Sequence, residues 1–484
     1  MMLLSFTVRN HKSIRDEITV DLTRPSLRTL RPRNDNWHAV TYPIVGIFGG
    51  NATGKSAVLD ALRYLYSAIR YSATTWQAFK SMQRAPFQLD GNARTSSSTY
   101  ELDFVHEGRR HLYGFEVDHD GIRREWLRDV PSSRWRTLLD RYANTTTFHP
   151  SLRPRIEVTK RELVLSRALL LSDSPLYSLA HDLASSFDAV LVKDSHREAR
   201  LTAIADSLKE GAITFADLEA LLQVADIGIT KVSIEQRKIP ESFRRAFRRL
   251  ARDLQDDGDN PDDIKAPANE DETSDLADDE LAQVVRHLLF THRGTAEECP
   301  SFSIQDESDG TIAWLATAVP ALETLRRGGV LTVDEIDASL HPHLLEVLLG
   351  AFADPSVNTH QAQLIFTSHE SYVLSPLSEV TLEPEQVWLT DKTYEGVTEL
   401  TCLADFPKHP DANVAKRYLT GRYGGTPRLS PSTLAALVSA GKSGRWRGAR
   451  PEATLVHDVP RESLRSESSW SPRGRGPSRS TSSV

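Results

Sequence analysis

The period of apolar positions changes several times along this chain, and each change marks an element. Leu3 to Val8 and Ile18 to Leu22 read as two strands around the polar turn Asn10-His11-Lys12-Ser13. The apolar run Tyr42 to Phe48 predicts a buried strand, and Ala57 to Leu65 carries the spacing of an amphipathic helix. Alternation over Tyr100 to Val105 and His111 to Val117, with Glu107-Gly108 between, predicts an antiparallel hairpin; Asp120-Gly121 marks the next turn. From about residue 150 the pattern turns helical. Leu176, Leu179 and Leu183 share one face behind the helix start Ser174-Pro175, and Phe215 to Leu222 keeps helical spacing. Ile227 to Ile234 returns to strand. A helical stretch, Ile312 to Leu325, precedes the buried-strand run Val330 to Glu335, and Gln363 to His369 gives another buried strand with a polar end.

These elements predict an α/β protein: a mixed-sheet core with an antiparallel β lobe, interrupted by a mostly helical insertion. The expected divisions are 1–150, 151–290, 291–428 and 429–484. Within the insertion, Phe243, Phe247, Leu250 and Leu254 fall on one helical face and Arg244, Arg245, Arg248 and Arg249 on the other. That face reads either as a solvated surface or as a surface for nucleic acid or a partner. The stretch 253–280 is crowded with acidic residues against Lys265 alone, which predicts a disordered loop that repels polyanions. The tail 429–484, rich in Ser, Arg, Pro and Gly, has no apolar period and is expected to be disordered.

Composition changes the picture little. A chain of 484 residues with 39% apolar and 26% charged residues suits a globular protein of more than one lobe. Its formal charge of −8 does not announce a nucleic-acid binder. Cys299 and Cys402 make neither a disulfide framework nor a metal cluster. The N-terminus reads as a strand rather than a signal peptide, and no apolar run is long enough to span a bilayer. The expectation is a cytoplasmic protein with no membrane association.

The chemistry is concentrated in Gly49-Gly50-Asn51-Ala52-Thr53-Gly54-Lys55-Ser56, which satisfies G-x-x-x-x-G-K-[ST] at every fixed position and lies between a strand and a helix. Glycines let such a loop turn its amides inward onto phosphate, and the following helix N-terminus adds partial positive charge. Lys55 is expected on the β- and γ-phosphates and the Ser56 hydroxyl on Mg²⁺. The strand Val330 to Glu335 delivers two carboxylates. Asp334 suits a metal-bound water, and Glu335 suits orientation or deprotonation of the attacking water. Glu307-Ser308-Asp309-Gly310-Thr311 opens a helix and offers a second anion-binding turn. His369, at the end of Thr367-Ser368-His369, is a candidate γ-phosphate sensor.

This order of motifs resembles the ABC-type P-loop ATPase heads of the SMC, RecF and OLD group: Walker A, signature turn, Walker B, D-loop, switch histidine. More narrowly it resembles the AAA15 family of ATPases in bacterial phage-defence and abortive-infection loci. The matching words are Val8 to Ile14, Asp306 to Thr311, Asp334-Glu335-Ile336-Asp337-Ala338-Ser339-Leu340-His341-Pro342, Gln363 to His369, and the closing Lys416 to Pro427. His11 stands where that family often has an aromatic residue. The resemblance implies Mg²⁺-dependent ATP hydrolysis at a composite site in a head-to-tail homodimer or a higher oligomer. Ser308, Asp309 and Gly310 of one subunit would cap the γ-phosphate held by Gly49, Asn51, Ala52, Thr53, Gly54, Lys55 and Ser56 of the other. Asp334 would join Ser56 on the metal, while Glu335 and His369 would carry the hydrolysis. Gln88 is either the glutamine loop or an ordinary strand-flanking residue.

Two functions fit. One is an ATPase that senses or regulates for a separately encoded effector in anti-phage defence. The other is a RecF- or SMC-like DNA repair or end-binding ATPase, which predicts a continuous basic surface that the net charge does not favour. OLD relatives add a metal-dependent nuclease with an Asp-x-Asp pair, and no such pair follows His369.

Overall fold

The computed structural model describes residues 1–143, 145–152, 156–191, 204, 207–208, 211, 213–225, 228–237, 285–294, 299–303, 306–338, 340–407 and 413–424. The predicted arginine helix, the acidic stretch 253–280 and the tail 429–484 lie outside these residues, as does Ser339.

β1 (Met2–Arg9) and β2 (Ile18–Asp21) pair antiparallel across the Asn10–Ser13 turn, where Asn10 and Lys12 take positive φ. After β3 (Ile44–Phe48), α1 (Lys55–Tyr71) and the short α2 (Gly91–Thr95), the chain meanders. The meander is β4 (Ser98–His106), β5 (Arg109–Val117), β6 (Ile122–Asp129), β7 (Arg136–Tyr142) and β8 (Thr145–Phe148). With β1 and β2 these strands form a seven-stranded antiparallel sheet in the order β2-β1-β4-β5-β6-β7-β8. The predicted hairpin is β4–β5, turning on Glu107 and Gly108, both at positive φ. The sheet goes on for three strands beyond it.

α3 (Val164–Ala168) and α4 (Tyr177–Ser185) pack on α1, and Leu179 and Leu183 face inward as their spacing predicts. Next come β9 (Phe187–Val190), α5 (Phe215–Val224), β10 (Ile229–Arg237), β11 (Val285–His292) and β12 (Ser301–Ser303). The chain continues with α6 (Asp309–Arg327), β13 (Val330–Val333), α7 (Pro342–Ala353) and β14 (Gln363–Ser368). It closes with β15 (Val387–Lys392), β16 (Thr398–Cys402) and α8 (Val414–Leu419).

The second sheet has six strands in the order β16-β15-β3-β14-β13-β9, parallel throughout except for the antiparallel β15–β16 pair. Every residue of β3, β13 and β14 is buried, as expected of parallel strands covered on both faces. α1 lies between the two sheets. Its Leu62, Leu65, Tyr66 and Ile69 pack with Phe104 and Phe115 of the antiparallel sheet and with Val45 and Ile47 of β3. The other face of the parallel sheet is closed by Leu348, Leu349 and Phe352 of α7 and by Tyr418 of α8, against Phe48 and Phe366.

The expectation of a mostly helical insertion over 151–290 needs correction. β9 is a strand of the core sheet, parallel to β13, while β10 stands where the strand Ile227 to Ile234 was expected and forms a small antiparallel sheet with β11 and β12. Four residues are too few to show a strand period, and Phe187 to Val190 gave no signal in the sequence. The insertion's own core joins Leu218, Leu222, Val232 and Phe290 to Ile312, Leu315 and Val319 of α6. Trp314 Nε1 donates to Leu221 O at 2.7 Å, and Arg326 pairs with Asp217 at 2.6 Å. The helix that carries the Ser308 turn is therefore built into the inserted lobe. Among the described residues no helix is long and apolar enough to cross a membrane.

Candidate functional site

β3 and α1 meet at the glycine-rich loop, as the sequence predicts. Gly54 sits at φ 110°, in the left-handed region, and a Cβ there would also collide with Thr398. At Gly49 a Cβ would strike Thr390, so backbone and neighbouring strands approach more closely than any side chain allows. No side chain caps the N-terminus of α1, which leaves its first-turn amides and their partial positive charge facing the loop.

Lys55 is buried and folds back on the loop: Nζ donates to Gly49 O at 2.7 Å and to Gly50 O at 3.1 Å. Burial lowers the pKa of its ammonium, while the negative charges of Glu335, Asp337 and Asp334 pull it back up. An ammonium poised among carboxylates and carbonyls that it can exchange for other oxygens suits a phosphate. Thr53 Oγ1 donates to Gly50 O at 2.8 Å and tightens the turn. Asn51 and Ala52 are exposed at its tip, and Ala52 takes φ 64°.

The carboxylates lie at the C-terminal end of β13. Ser56 Oγ donates to Asp334 Oδ1 at 2.9 Å, and Thr367 Oγ1 donates to the same oxygen at 2.7 Å. Thr367 Oγ1 in turn accepts from the Glu335 backbone amide at 2.7 Å. Glu335 itself is exposed and holds φ 54°, an uncommon conformation for a residue with a side chain, fixed here by that amide bond and its neighbour from Ile336 N to Thr367 O. The Asp337 carboxylate is buried, with Oδ2 2.9 Å from His369 Nδ1, and neither of its oxygens has a well-aligned hydrogen bond. Asp337, His369 and Glu370 bring ligand-capable atoms within 4.8 Å of one another. The structure thus brings Lys55, Ser56, Asp334 and Glu335 to one end of the parallel sheet, and pairs His369 with Asp337 of the loop that follows Glu335. A hydroxyl and a carboxylate sharing one oxygen contact make a donor set that fits Mg²⁺.

Ser308 caps α6, its Oγ accepting from Thr311 N at 3.1 Å, with Asp309 and Gly310 in the first turn. Its hydrogen bonds stay within that turn, and none joins it to the phosphate loop. Behind it, buried Glu307 meets His292 of β11 at 2.6 Å. Gln88 is exposed and donates only to Pro86 O, at 3.0 Å. His11 is a buried core residue, bonded to Tyr100 Oη at 2.8 Å and to Asp60 at 2.9 Å.

Sequence reasoning missed four residues. Thr367 had a signal, since it stands in the polar triplet before His369. Thr390 and Thr398 read as ordinary strand residues, yet both reach Thr53. Tyr418 of α8 is buried, which pushes its phenol up to about 12, against the pull of a hydrogen bond from the Gly49 amide.

A phosphate loop between the central parallel strand and α1, an Asp-Glu pair on the second strand over, and an antiparallel lobe beside them define a P-loop NTPase head. The chain belongs to the family described as "AAA domain, putative AbiEii toxin, Type IV TA system", whose model matches residues 44–375. Membership implies nucleotide binding. A search of curated proteins found no match. Among solved structures, an SMC head bound to the C-winged helix domain of ScpA is 11% identical, with a TM-score of 0.41, over 83% of this chain and 97% of that one. An Smc head with an extended coiled coil, bound to the C-terminal domain of ScpA and derived from Pyrococcus furiosus, is 12% identical, with a TM-score of 0.32, over 91% and 99%. At these values neither likeness bears on function.

Proposed function

We propose that this chain is a Mg²⁺-dependent ATPase that dimerises head to tail around ATP and regulates, or senses for, a separately encoded effector in anti-phage defence. The observation that carries the chemistry is the Ser56–Asp334 hydrogen bond, which joins the phosphate loop to the Asp-Glu strand across 278 residues of sequence. Lys55 would exchange its two carbonyl contacts for phosphate oxygens. Ser56 and Asp334 would hold Mg²⁺, which supplies charge neutralisation at the β- and γ-phosphates. Glu335, exposed beside Asp334, would orient or deprotonate water, and His369 would hold a γ-phosphate oxygen once it lets go of Asp337. Ser308, whose side-chain hydrogen bonds stay within its own turn, would complete the site of a second copy together with Asp309 and Gly310. The defence setting rests on the family's description, which names an AbiEii toxin and a type IV toxin–antitoxin system.

Calorimetric titration of Mg-ATP into the wild type and Lys55→Ala tests the first step. The wild type is expected to bind, and the variant to bind about 10- to 100-fold more weakly, as loss of a charge-assisted contact predicts. Equal binding by the two would remove Lys55, and with it this site, from the account.

A further inference from the structure

The family match stops at residue 375, yet the phosphate loop is gripped from behind by residues that come later. Thr390 of β15 and Thr398 of β16 are both fully buried. Thr390 Oγ1 lies 2.7 Å from Thr53 Oγ1, and Thr398 Oγ1 donates to Thr53 O at 3.0 Å. Each hydroxyl has one proton, and Thr398 shares its own between two acceptors. Thr53 gives its proton to Gly50 O, Thr390 pairs with the Thr53 hydroxyl and also reaches Phe48 O at 3.3 Å, and Thr398 directs its hydroxyl to the Thr53 carbonyl and to Ser13 Oγ at 2.8 Å. The Thr398 amide adds a bond to Ser13 O at 2.8 Å, so the Asn10–Ser13 turn is held in the same grip.

The Thr53 carbonyl decides where its peptide points. In a trans peptide the C=O and the following N–H point in opposite directions. A hydroxyl that draws the Thr53 carbonyl back towards β16 therefore turns the Gly54 N–H the opposite way, away from β16. Gly49 and Gly54 are the residues whose lack of a Cβ admits Thr390 and Thr398 so closely. α8 follows the two strands, and its Tyr418 stands at the Gly49 amide.

We propose that Thr398 and Thr390 are positioning residues for phosphate binding, and that the β15–β16 hairpin sets the peptide orientation by which the loop presents its amides to the nucleotide. The proposal rests on the phosphate-loop reading above.

The test compares shape with hydrogen bonding. Thr398→Val keeps the branched shape and loses the hydroxyl; Thr398→Ser keeps the hydroxyl and loses the methyl group. Calorimetric titration with Mg-ATP and with Mg-ADP is expected to show Thr398→Val binding both about tenfold more weakly, as loss of one buried hydrogen bond predicts, and Thr398→Ser within about twofold of the wild type. If Thr398→Val does not fold, Thr390→Val against Thr390→Ser makes the same comparison one strand away. Valine binding like the wild type, or serine as weak as valine, overturns the proposal, because a packing role is hurt more by the lost methyl group. A wild type that binds neither nucleotide overturns the phosphate-loop reading and this proposal together, and is told apart because it appears before any variant is made.

Discussion

Asp334 Oδ1 accepts hydroxyl protons from Ser56 at 2.9 Å and Thr367 at 2.7 Å, and the pairing shows what single residues can and cannot announce. Ser56 and Asp334 were legible because each stands in a motif with fixed spacing. Thr367 was half legible, as part of a polar strand end, and Thr390 and Thr398 were not legible at all. A threonine in a strand is ordinary, and only the fold shows which hydroxyl meets a backbone carbonyl. At this scale Ser56→Ala makes a sharp prediction. Removing one hard oxygen ligand should raise the Mg²⁺ concentration for half-maximal ATP binding by about tenfold, with metal-free nucleotide affinity unchanged. A Mg²⁺ titration monitored by nucleotide fluorescence reads this directly. An unchanged midpoint would mean that Ser56 does not touch the metal.

Elements were legible where the period was long enough to read. β3, α1, the β4–β5 hairpin, α4, α6, β13 and β14 all stand where their patterns placed them. β9 gave no signal because four residues cannot show a period, and the β6–β8 meander none because its charged positions, such as Arg123, Arg124 and Arg128, hide a core face that Leu127 and Ile122 supply. On β5, His111 is buried, stacks on Phe104 and bonds the Arg109 carbonyl, and burial pushes its pKa down to about 4. Unfolded, a histidine titrates near 6.5, so between these values the unfolded chain takes up a proton that the folded chain refuses. Stability from this residue is therefore complete above about pH 6.5 and falls as the pH drops towards 4, by on the order of 3 kcal/mol. Thermal unfolding at pH 7 and pH 5 should show a smaller loss in His111→Asn than in the wild type. Equal losses would place the acid sensitivity elsewhere.

For the whole molecule, the sequence carried the two-sheet head and most of the site, because a P-loop and an Asp-Glu strand must meet at one end of a parallel sheet. Of the inserted lobe it carried α5 and the strand β10, but not β11, β12 or the core they share with α6. That arrangement links the lobe mechanically to the Ser308 turn, the part assigned to a second copy's nucleotide. A partner bound to the lobe would then act on the proposed ATP interface through a packed helix. The central claim is that Glu335 drives hydrolysis in an ATP-joined pair of heads. The measurement that tests it most directly is ATP turnover by the wild type and Glu335→Gln, with mass followed by light scattering. The account predicts turnover in the wild type, and in the variant no turnover but a doubled mass that persists with ATP. Turnover in Glu335→Gln at the wild-type rate, or a mass that ATP leaves unchanged in both proteins, would contradict it.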